Sequence, residues 1–333
     1  MTGARIVSVA AELAPNRVSV DAIAAQVQDV SPGRLPVGAI KRLTGVNWVH
    51  HRDEGQQASD LASAAARTAL DRAGLRPTDL DLLIFASASQ DLIEPATSHI
   101  VSHLIGATGV PVMDVKNACN SFLNGVQVAD AFIRAGVYRT IAVVSGETPS
   151  AAIRWVNTSK EQFTRSFPGF SMSDGGAAMI LTASTTPGVH AIRFTADSAS
   201  WDVGTLGTGG SRAPRDLDAT YFDMDGAKLT RAFLSLGADI VTDTLDKTGR
   251  TWDDFRFIGM HQISATYLGM VCEVLGVPEH QVLSTVADHG NVASLSLPLQ
   301  LDAAMSRGLS SGDEFAFVGF GGGISTGLGV FTL

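Results

Sequence analysis

Continuous apolar runs alternate with amphipathic stretches along the whole chain, and this alternation constrains the fold more than any other sequence feature. Four of the runs are continuous enough to be strands buried on both faces of a sheet: residues 80–86, 140–145, 177–181 and 315–319. Helical patterns lie between them, for example at residues 59–73 and 122–135. Each of these two patterns is followed directly by a glycine, which can end a helix. The alternation predicts an α/β protein.

A cluster of Ser, Thr, Pro and Gly at residues 182–188 divides the chain into two pieces of similar length. With 333 residues and 45% hydrophobic content, the chain can bury cores for two halves of ordinary domain size. In each piece an apolar run precedes a chemically interesting residue, Cys119 in the first and His261 in the second. We therefore predict two related halves, residues 1–183 and residues 184–333.

The charge balance and the cysteine count argue against several classes of protein. The net charge is -9, from 33 acidic and 24 basic residues without a Lys or Arg run, so a nucleic-acid partner is not expected. Two distant cysteines, Cys119 and Cys272, form neither a disulfide framework nor a thiolate metal site, and we expect no metal. Without an apolar stretch of bilayer-spanning length or a signal-peptide pattern at its start, the chain is expected to be cytoplasmic.

Cys119 follows the apolar run at residues 110–115 and opens a helical segment at about Asn120. Unpaired N–H groups and the dipole at a helix start favour a thiolate, which can attack a carbonyl. The same N–H groups can donate to an oxyanion. The alternative is a buried structural cysteine, and Cys272, on an apolar helical stretch before Gly276, fits that alternative.

Two polar residues in the second half are suited to assist a nucleophile. His261 stands directly after the apolar run 257–260, where the carboxyl end of a strand presents a side chain to a crevice. Asn291 ends a turn-rich tetrapeptide before an apolar helical pattern, and His289 in the same tetrapeptide is the competing histidine. The glycine-rich run 319–323 lacks the Lys and Ser/Thr of a phosphate-binding loop, and no glycine-rich turn follows the first strand as in a dehydrogenase.

Four short runs carry a resemblance to a known family, and three more support it. The first four are 114–119 (DVKNAC), 261–262 (HQ), 290–294 (GNVAS) and 319–323 (GFGGG). The supporting runs are 43–46 (LTGV), 59–62 (SDLA) and 173–178 (SDGGAA). In order and spacing, over nearly the whole chain, they resemble the β-ketoacyl-acyl carrier protein synthase III group of the thiolase superfamily. The resemblance implies a five-layered αβαβα fold of two related halves, assembled as a homodimer.

The resemblance also implies the chemistry of an acyltransferase. Cys119 is expected to accept an acyl group from acyl-coenzyme A or an acyl carrier protein, with phosphopantetheine as the substrate's own carrier and no other cofactor. His261 and Asn291 are expected to donate hydrogen bonds to the thioester carbonyl of the second substrate. The backbone N–H groups of Cys119 and Gly322 are expected to form the oxyanion hole for acyl transfer.

Two departures from the family pattern concern the region that binds substrate. Where family members read His-Gln-Ala-Asn, this chain has Ile263 and Ser264 in the last two places. The aromatic and basic residues that commonly hold a coenzyme A adenine are not obvious near the start, and Trp48 is the nearest substitute. Arg154 and Arg165 are expected contacts for a carrier phosphate. The donor thus stays open between coenzyme A and a carrier protein.

A third departure is Glu94, which stands where synthase III chains usually have an apolar or aromatic residue before a proline. Together with residues 117–119 and 122–125, it resembles the head-to-head acyl thiolases of olefin and β-lactone biosynthesis. In that subgroup the glutamate reaches the neighbouring subunit's site and serves as a base. A malonyl thioester forms its carbanion by losing carbon dioxide, whereas an ordinary acyl thioester must lose an α-proton to a base. The first hypothesis is therefore non-decarboxylative Claisen condensation.

Three alternatives stay open at this point. Decarboxylative condensation with a malonyl thioester needs no Glu94, which is then a solvated loop carboxylate. Acyl transfer from Cys119 to an alcohol or amine needs the same nucleophile and oxyanion hole. A non-catalytic subunit that only completes a partner's site is disfavoured because Cys119, His261 and Asn291 are all present.

Overall fold

The computed structural model describes residues 2–30, 35–36 and 38–333. The earlier part of the chain contains, in order, β1 (Gly3–Leu13), β2 (Asn16–Ser19), α1 (Val20–Val30), α2 (Ala39–Thr44), β3 (Trp48–His51), α3 (Ala58–Ala73), β4 (Leu82–Ala86), α4 (Thr97–Ile105), β5 (Val112–Val115), α5 (Ser121–Arg134), β6 (Thr140–Glu147), α6 (Lys160–Ser166) and β7 (Gly175–Ser184). The later part contains β8 (Val189–Ala196), β9 (Gly204–Thr205), β10 (Asp223–Met224), α7 (Gly226–Leu236), α8 (Asp239–Thr248), β11 (Phe257–Met260), α9 (Ala265–Leu275), α10 (Val286–His289), α11 (Ser296–Ser306), β12 (Glu314–Gly321) and β13 (Ser325–Thr332).

Two mixed sheets form the centre of the molecule. The first has the strand order β1-β7-β6-β4-β5, with β4 parallel to both β5 and β6 and the remaining pairs antiparallel. The second has the order β11-β12-β13-β8, in which only β11 and β12 are parallel. Every strand of the first sheet precedes residue 185, and every strand of the second follows residue 188.

The helices complete five layers, as the resemblance implied. Helices α3 and α4 cover the outer face of the first sheet, and α5 and α11 lie between the two sheets. Helices α7, α8 and α9 cover the outer face of the second sheet. Each interface between layers buries an apolar cluster, because a sheet or helix with an apolar face must cover that face. The protein thus has the αβαβα thiolase-like fold.

Small residues let α3 lie unusually close to the first sheet. The helix begins where Asp60 accepts the backbone N–H of Gln57 at 2.8 Å, and it ends at Gly74, which adopts φ +66°. A Cβ at Gly146 would lie 1.9 Å from a carbonyl oxygen of this helix, and one at Gly176 would lie 2.0 Å from another. Glycine is therefore required at both positions by the close approach of two backbones.

The predicted strands and helices are present, with shifts at their ends. The first predicted strand begins at Leu82 rather than at residue 80, and the helix predicted at residues 122–135 is α5. The break predicted at residues 182–188 starts later, because β7 continues to Ser184, which pairs with Gly3 of β1. In the described ranges no helix is both long and apolar enough to cross a bilayer.

Candidate active site

A cavity of about 670 Å³ opens where the carboxyl ends of strands from both sheets meet. Cys119 follows β5 and His261 follows β11, while Gly322 follows β12, and all three line the cavity. Asn291, in the turn after α10, lines it as well. The structure thus brings together four residues that are up to about 200 positions apart in the sequence, at the place where α/β folds bind ligands.

Cys119 lies in a tight turn between β5 and α5. Ala118, immediately before it, adopts φ 47°, a conformation that costs a residue with a side chain about 1 kcal/mol or more. Local hydrogen bonds hold this turn, because the Ser121 hydroxyl accepts the Asn117 N–H at 2.8 Å and donates to the Ala118 carbonyl at 2.6 Å. The turn aims the half-buried thiol at the cavity.

The protonation state of Cys119 differs from the prediction. Burial, and secondly the nearby Glu147 carboxylate, raise the pKa of the Cys119 thiol to about 12. A thiolate here loses its water and faces a like charge, and the backbone N–H of Cys119 offsets only part of this cost. The prediction of a stabilised thiolate in the free enzyme is therefore wrong, and the resting nucleophile is a thiol.

His261 is buried and neutral. Its backbone N–H donates to the Val318 carbonyl of β12 at 2.9 Å, which fixes the residue at the end of β11. Burial lowers the pKa of His261 to about 4, so the ring carries no charge at neutral pH. Its Nδ1 lies 2.9 Å from the hydroxyl of Ser296, so Nε2 is the ring nitrogen left for the cavity. The Ser296 hydroxyl has one proton, which it can donate to Nδ1 or to the Ala293 carbonyl at 3.1 Å. Nε2 carries the ring proton and is a hydrogen-bond donor in the first arrangement only.

Asn291 is held by its backbone and by its own side-chain oxygen. Its N–H donates to the Ser171 carbonyl, and its carbonyl accepts the Ser173 N–H, each at 2.8 Å. The side-chain Oδ1 accepts the Ala293 N–H at 2.9 Å, which leaves the amide nitrogen without an acceptor among the described residues. Asn291 thus offers the cavity a donor of fixed orientation.

Gly322 lies in the turn between β12 and β13, against the turn that carries the nucleophile. A Cβ at position 322 would come within 3.7 Å of the Ala118 Cβ. The backbone N–H groups of Cys119 and Gly322 donate to no other residue in the described part of the chain, and that of Cys119 faces its own sulfur. Two free N–H groups beside a nucleophile can stabilise a negative oxygen.

Glu94 lies outside the cavity of its own chain. It is exposed, and within the described residues its side chain forms no hydrogen bond or ion pair. Its neighbours Leu92 and Ile93 do line the cavity, although the two residues are 51% and 65% exposed. Within one chain, the structure therefore does not bring Glu94 to Cys119.

The three residues expected to bind the carrier do not line the cavity either. Arg154 forms an ion pair with Asp218 at 3.0 Å, and Arg165 forms one with Asp223. Both aspartates belong to the segment 204–224, which covers one side of the cavity, so the two arginines hold this cover in place. The guanidinium of Arg17 stacks on the indole of Trp48, with 4.3 Å between the guanidinium carbon and the ring centroid.

Three residues at the site were not found from the sequence. Glu147, the last residue of β6, lines the cavity and accepts the backbone N–H groups of Ala88 at 2.8 Å and Ser89 at 3.0 Å. A carboxylate directly after an apolar run was the available signal. Lys116, three residues before the nucleophile, also lines the cavity. Ser296, the partner of His261, gave no signal because its contact spans 35 positions.

Together, the fold and the site define an enzyme that transfers acyl groups and joins them. A cysteine at a helix start, two fixed donors and two free backbone N–H groups share one cavity in an αβαβα fold. No group of three His, Cys, Asp or Glu residues in the described part could hold a metal ion. The class is that of the thiolase-fold condensing enzymes.

The family model described as "3-Oxoacyl-[acyl-carrier-protein (ACP)] synthase III" matches residues 113–199. The model described as the C-terminal part of the same family matches residues 245–333. β-Ketoacyl-[acyl-carrier-protein] synthase III of Neisseria meningitidis is 32% identical over 98% of each chain. The enzyme of Thiobacillus denitrificans is 32% identical over 85% of this chain and 86% of its own. The chain belongs to the 3-oxoacyl-[acyl-carrier-protein] synthase III family.

Solved structures agree with this assignment of the fold. The Pseudomonas aeruginosa synthase III, FabH, is 25% identical, with a TM-score of 0.87 over 99% of this chain and 98% of its own. A Xanthomonas campestris OleA variant with bound lauric acid and lauroyl-CoA is 23% identical, with a TM-score of 0.88 over 99% of each chain. The fold is thus shared by FabH and by OleA.

Proposed function

We propose that the protein loads an acyl group from a thioester onto Cys119 and condenses it with a second acyl thioester without decarboxylation. The observation that carries this proposal is the single cavity lined by Cys119, His261, Asn291 and Gly322. The donor is acyl-coenzyme A or an acyl carrier protein, and the first is supported by the lauroyl-CoA bound to OleA in the same fold.

In the first step the Cys119 thiol attacks the thioester carbonyl. The carbonyl oxygen gains negative charge, which the N–H groups of Cys119 and Gly322 stabilise. Burial raises the pKa of Cys119 and lowers that of His261, so it disfavours the charged form of each group. A thiolate-imidazolium pair therefore does not form beforehand, and the thiol loses its proton as the new bond forms. The carrier thiol leaves with that proton.

In the second step His261 Nε2 and the Asn291 amide donate to the carbonyl of the incoming thioester. They stabilise the enolate that forms when a base removes the α-proton. The enolate carbon then attacks the acyl-cysteine carbonyl, and the sulfur of Cys119 leaves. The base in this proposal is Glu94 of a second copy of the chain, because Glu94 does not line the cavity of its own chain.

A homodimer supplies that second copy. Strand β5 is at the edge of the first sheet, and its outer side pairs with no other described strand. The exposed side chains of Leu92 and Ile93 lie near this edge, since Asp114 of β5 accepts the N–H groups of Thr97 and Ser98 at 2.9 Å. An unpaired strand beside exposed apolar residues favours association with a further chain. We also propose residues 1–183 and 184–333 as the two related halves, which agrees with the residues that form each sheet.

For the carrier, we propose that Arg165 contacts a phosphate and that Trp48 lies near the adenine. The Arg165 side chain is 34% exposed and its partner Asp223 is 49% exposed, so a phosphate can reach the pair. Arg154 is the weaker proposal, because its side chain is only 12% exposed and already contacts Asp218. A coenzyme A affinity measurement on Arg165→Ala and Arg154→Ala distinguishes the two, with weaker binding expected for the first.

A substrate panel tests the reaction itself. Wild type is compared with Cys119→Ala and Glu94→Ala, using two acyl-coenzyme A molecules and then malonyl-carrier protein, with product mass spectrometry. We expect no acylation in Cys119→Ala, and acylation without condensation in Glu94→Ala. Product from the malonyl substrate alone would establish decarboxylative condensation. This reaction is the second candidate function, and it is favoured by the observation that Glu94 is exposed and lies outside the cavity of its own chain. Release of acyl ester or amide without a new carbon-carbon bond would instead establish simple acyl transfer.

A further inference from the structure

Lys116 is a positive charge at the wall of the catalytic cavity, and it has no ion-pair partner among the residues that the structure describes. Its ammonium donates to the side-chain oxygen of Gln90 at 3.1 Å, which occupies one of its three N–H groups. No carboxylate in the described part of the chain lies within 4 Å of it, whereas Arg154 and Arg165 each have an aspartate. Packing around the ammonium lowers the pKa of Lys116 even though Glu147 and Asp114 attract it.

The two carboxylates whose charge attracts Lys116, Glu147 and Asp114, already accept hydrogen bonds from other groups. Glu147 accepts two backbone N–H groups and the hydroxyls of Ser89 and Ser294. Asp114 accepts the first N–H groups of α4. Neither can turn to Lys116 without leaving donors unsatisfied. Among the described residues no carboxylate thus pairs with Lys116, and a second copy of the chain can supply one.

The same edge of the molecule also carries Glu94, a carboxylate without a partner in the described part of the chain. Glu94 is exposed between Ile93 and the start of α4. A hydrogen bond from the first N–H group of α4 to Asp114 connects this helix to β5, the strand that directly precedes Lys116. Each copy thus presents one unpaired ammonium and one unpaired carboxylate near the unpaired strand edge. A two-fold interface requires such self-complementarity, in which residue i of one copy meets residue j of the other, and the reverse.

Building on the proposed function, we propose that Lys116 receives Glu94 of a second copy in the catalytic cavity and keeps it ionised beside the α-carbon. The cavity already contains the negative charge of Glu147, so a further carboxylate without a cation would take up a proton and cease to be a base. The positive charge of Lys116 stabilises the ionised form of Glu94 and so keeps it able to act as a base. In the reaction, the carboxylate of Glu94 takes the α-proton, and the electron pair of the C–H bond passes into the enolate.

The variant Lys116→Met tests this role by separating the two half-reactions. We expect condensation to fall more than acylation of Cys119, with the acidic limb of the condensation pH-rate profile moved up by about one unit and the loss reaching about tenfold at the low-pH end of that limb. Lys116→Arg restores the profile because it restores the charge. The matched control is Lys160→Met, which removes an exposed lysine that does not line the cavity.

Mixed dimers test whether the pair forms between chains. Two differently tagged chains, Lys116→Met and Glu94→Gln, are co-expressed and purified through both tags. One of the two sites then contains intact Lys116 and intact Glu94, so on the acidic limb we expect condensation well above that of either parent dimer. No gain over the parents, or an unchanged profile in Lys116→Met, overturns the proposal.

A second mixed dimer, Cys119→Ala with Glu94→Gln, separates this inference from the proposed function. It regains condensation if Glu94 acts between chains, whatever Lys116 does. If this dimer regains activity but Lys116→Met keeps the wild-type pH-rate profile, the role of Lys116 is overturned and that of Glu94 stands. If neither mixed dimer regains activity, both the role of Lys116 and the action of Glu94 between chains are overturned. Loading of succinyl-CoA and butyryl-CoA is compared as well. A selective loss with succinyl-CoA in Lys116→Met would show that Lys116 binds a substrate carboxylate, and would overturn its pairing with Glu94.

Discussion

The high pKa of Cys119 predicts that the free enzyme reacts slowly with alkylating reagents. With a pKa of about 12, roughly one thiol in ten thousand is ionised at pH 8, whereas an ordinary thiol of pKa 8.5 is about one quarter ionised. The thiolate is the reacting species, so inactivation by iodoacetamide is expected to be about 2,000-fold slower than for an exposed thiol. Because the working pH is below the pKa, the rate should rise about tenfold with each pH unit.

The assay measures loss of acylation activity and the mass of the carbamidomethyl adduct between pH 7 and pH 10. Cys119→Ala gives the background from Cys272, which is buried and whose pKa is also raised by burial. We expect a log-linear rise of about three orders of magnitude without a plateau. A plateau with a midpoint near 8.5 or below would refute the reasoning, because it would mean that the helix start outweighs burial and the charge of Glu147.

Three further predictions concern the supporting residues. Asn291→Ala should lower condensation about 100- to 1,000-fold in single-turnover assays while the nucleophile is still acylated, and equal loss of both steps would contradict its role. Ser296→Ala leaves Nδ1 of buried His261 without a partner and should lower the free energy of unfolding by about 1–3 kcal/mol in urea titrations; an unchanged midpoint would mean that this contact is dispensable. Gly146→Ala places a Cβ 1.9 Å from a backbone oxygen of α3 and should lower Tm by several degrees. The control Gly169→Ala has open space at its Cβ and should leave Tm unchanged. Similar Tm values for the two variants would refute the steric argument.

Local pattern accounts for what the sequence predicted well. The apolar runs became strands because they are buried on both faces, and Cys119 stands between β5 and α5 as its neighbours indicated. His261, Asn291 and Gly322 line the same cavity as Cys119 because each follows a strand or opens a turn at one end of the sheets. Their catalytic roles are still proposals.

Long-range contacts account for what the sequence missed. Burial and the position of Glu147 decide the protonation of Cys119, and neither is visible from the residues around the nucleophile. Arg154 and Arg165 are paired with aspartates 64 and 58 positions away, so their charge is used to hold the segment 204–224. Lys116 lies inside the motif that carries the nucleophile, and its place at the cavity wall depends on contacts that the motif does not show.

The central claim is that the enzyme joins two acyl thioesters by removing an α-proton. The most direct test incubates the purified protein with lauroyl-CoA deuterated at the α-carbon and without any malonyl compound, followed by mass spectrometry of product and protein. We predict an acyl adduct on Cys119 and a β-keto product from two acyl chains, formed more slowly than with unlabelled substrate. An acyl adduct without condensed product, together with product and carbon dioxide once malonyl-carrier protein is added, would contradict the claim.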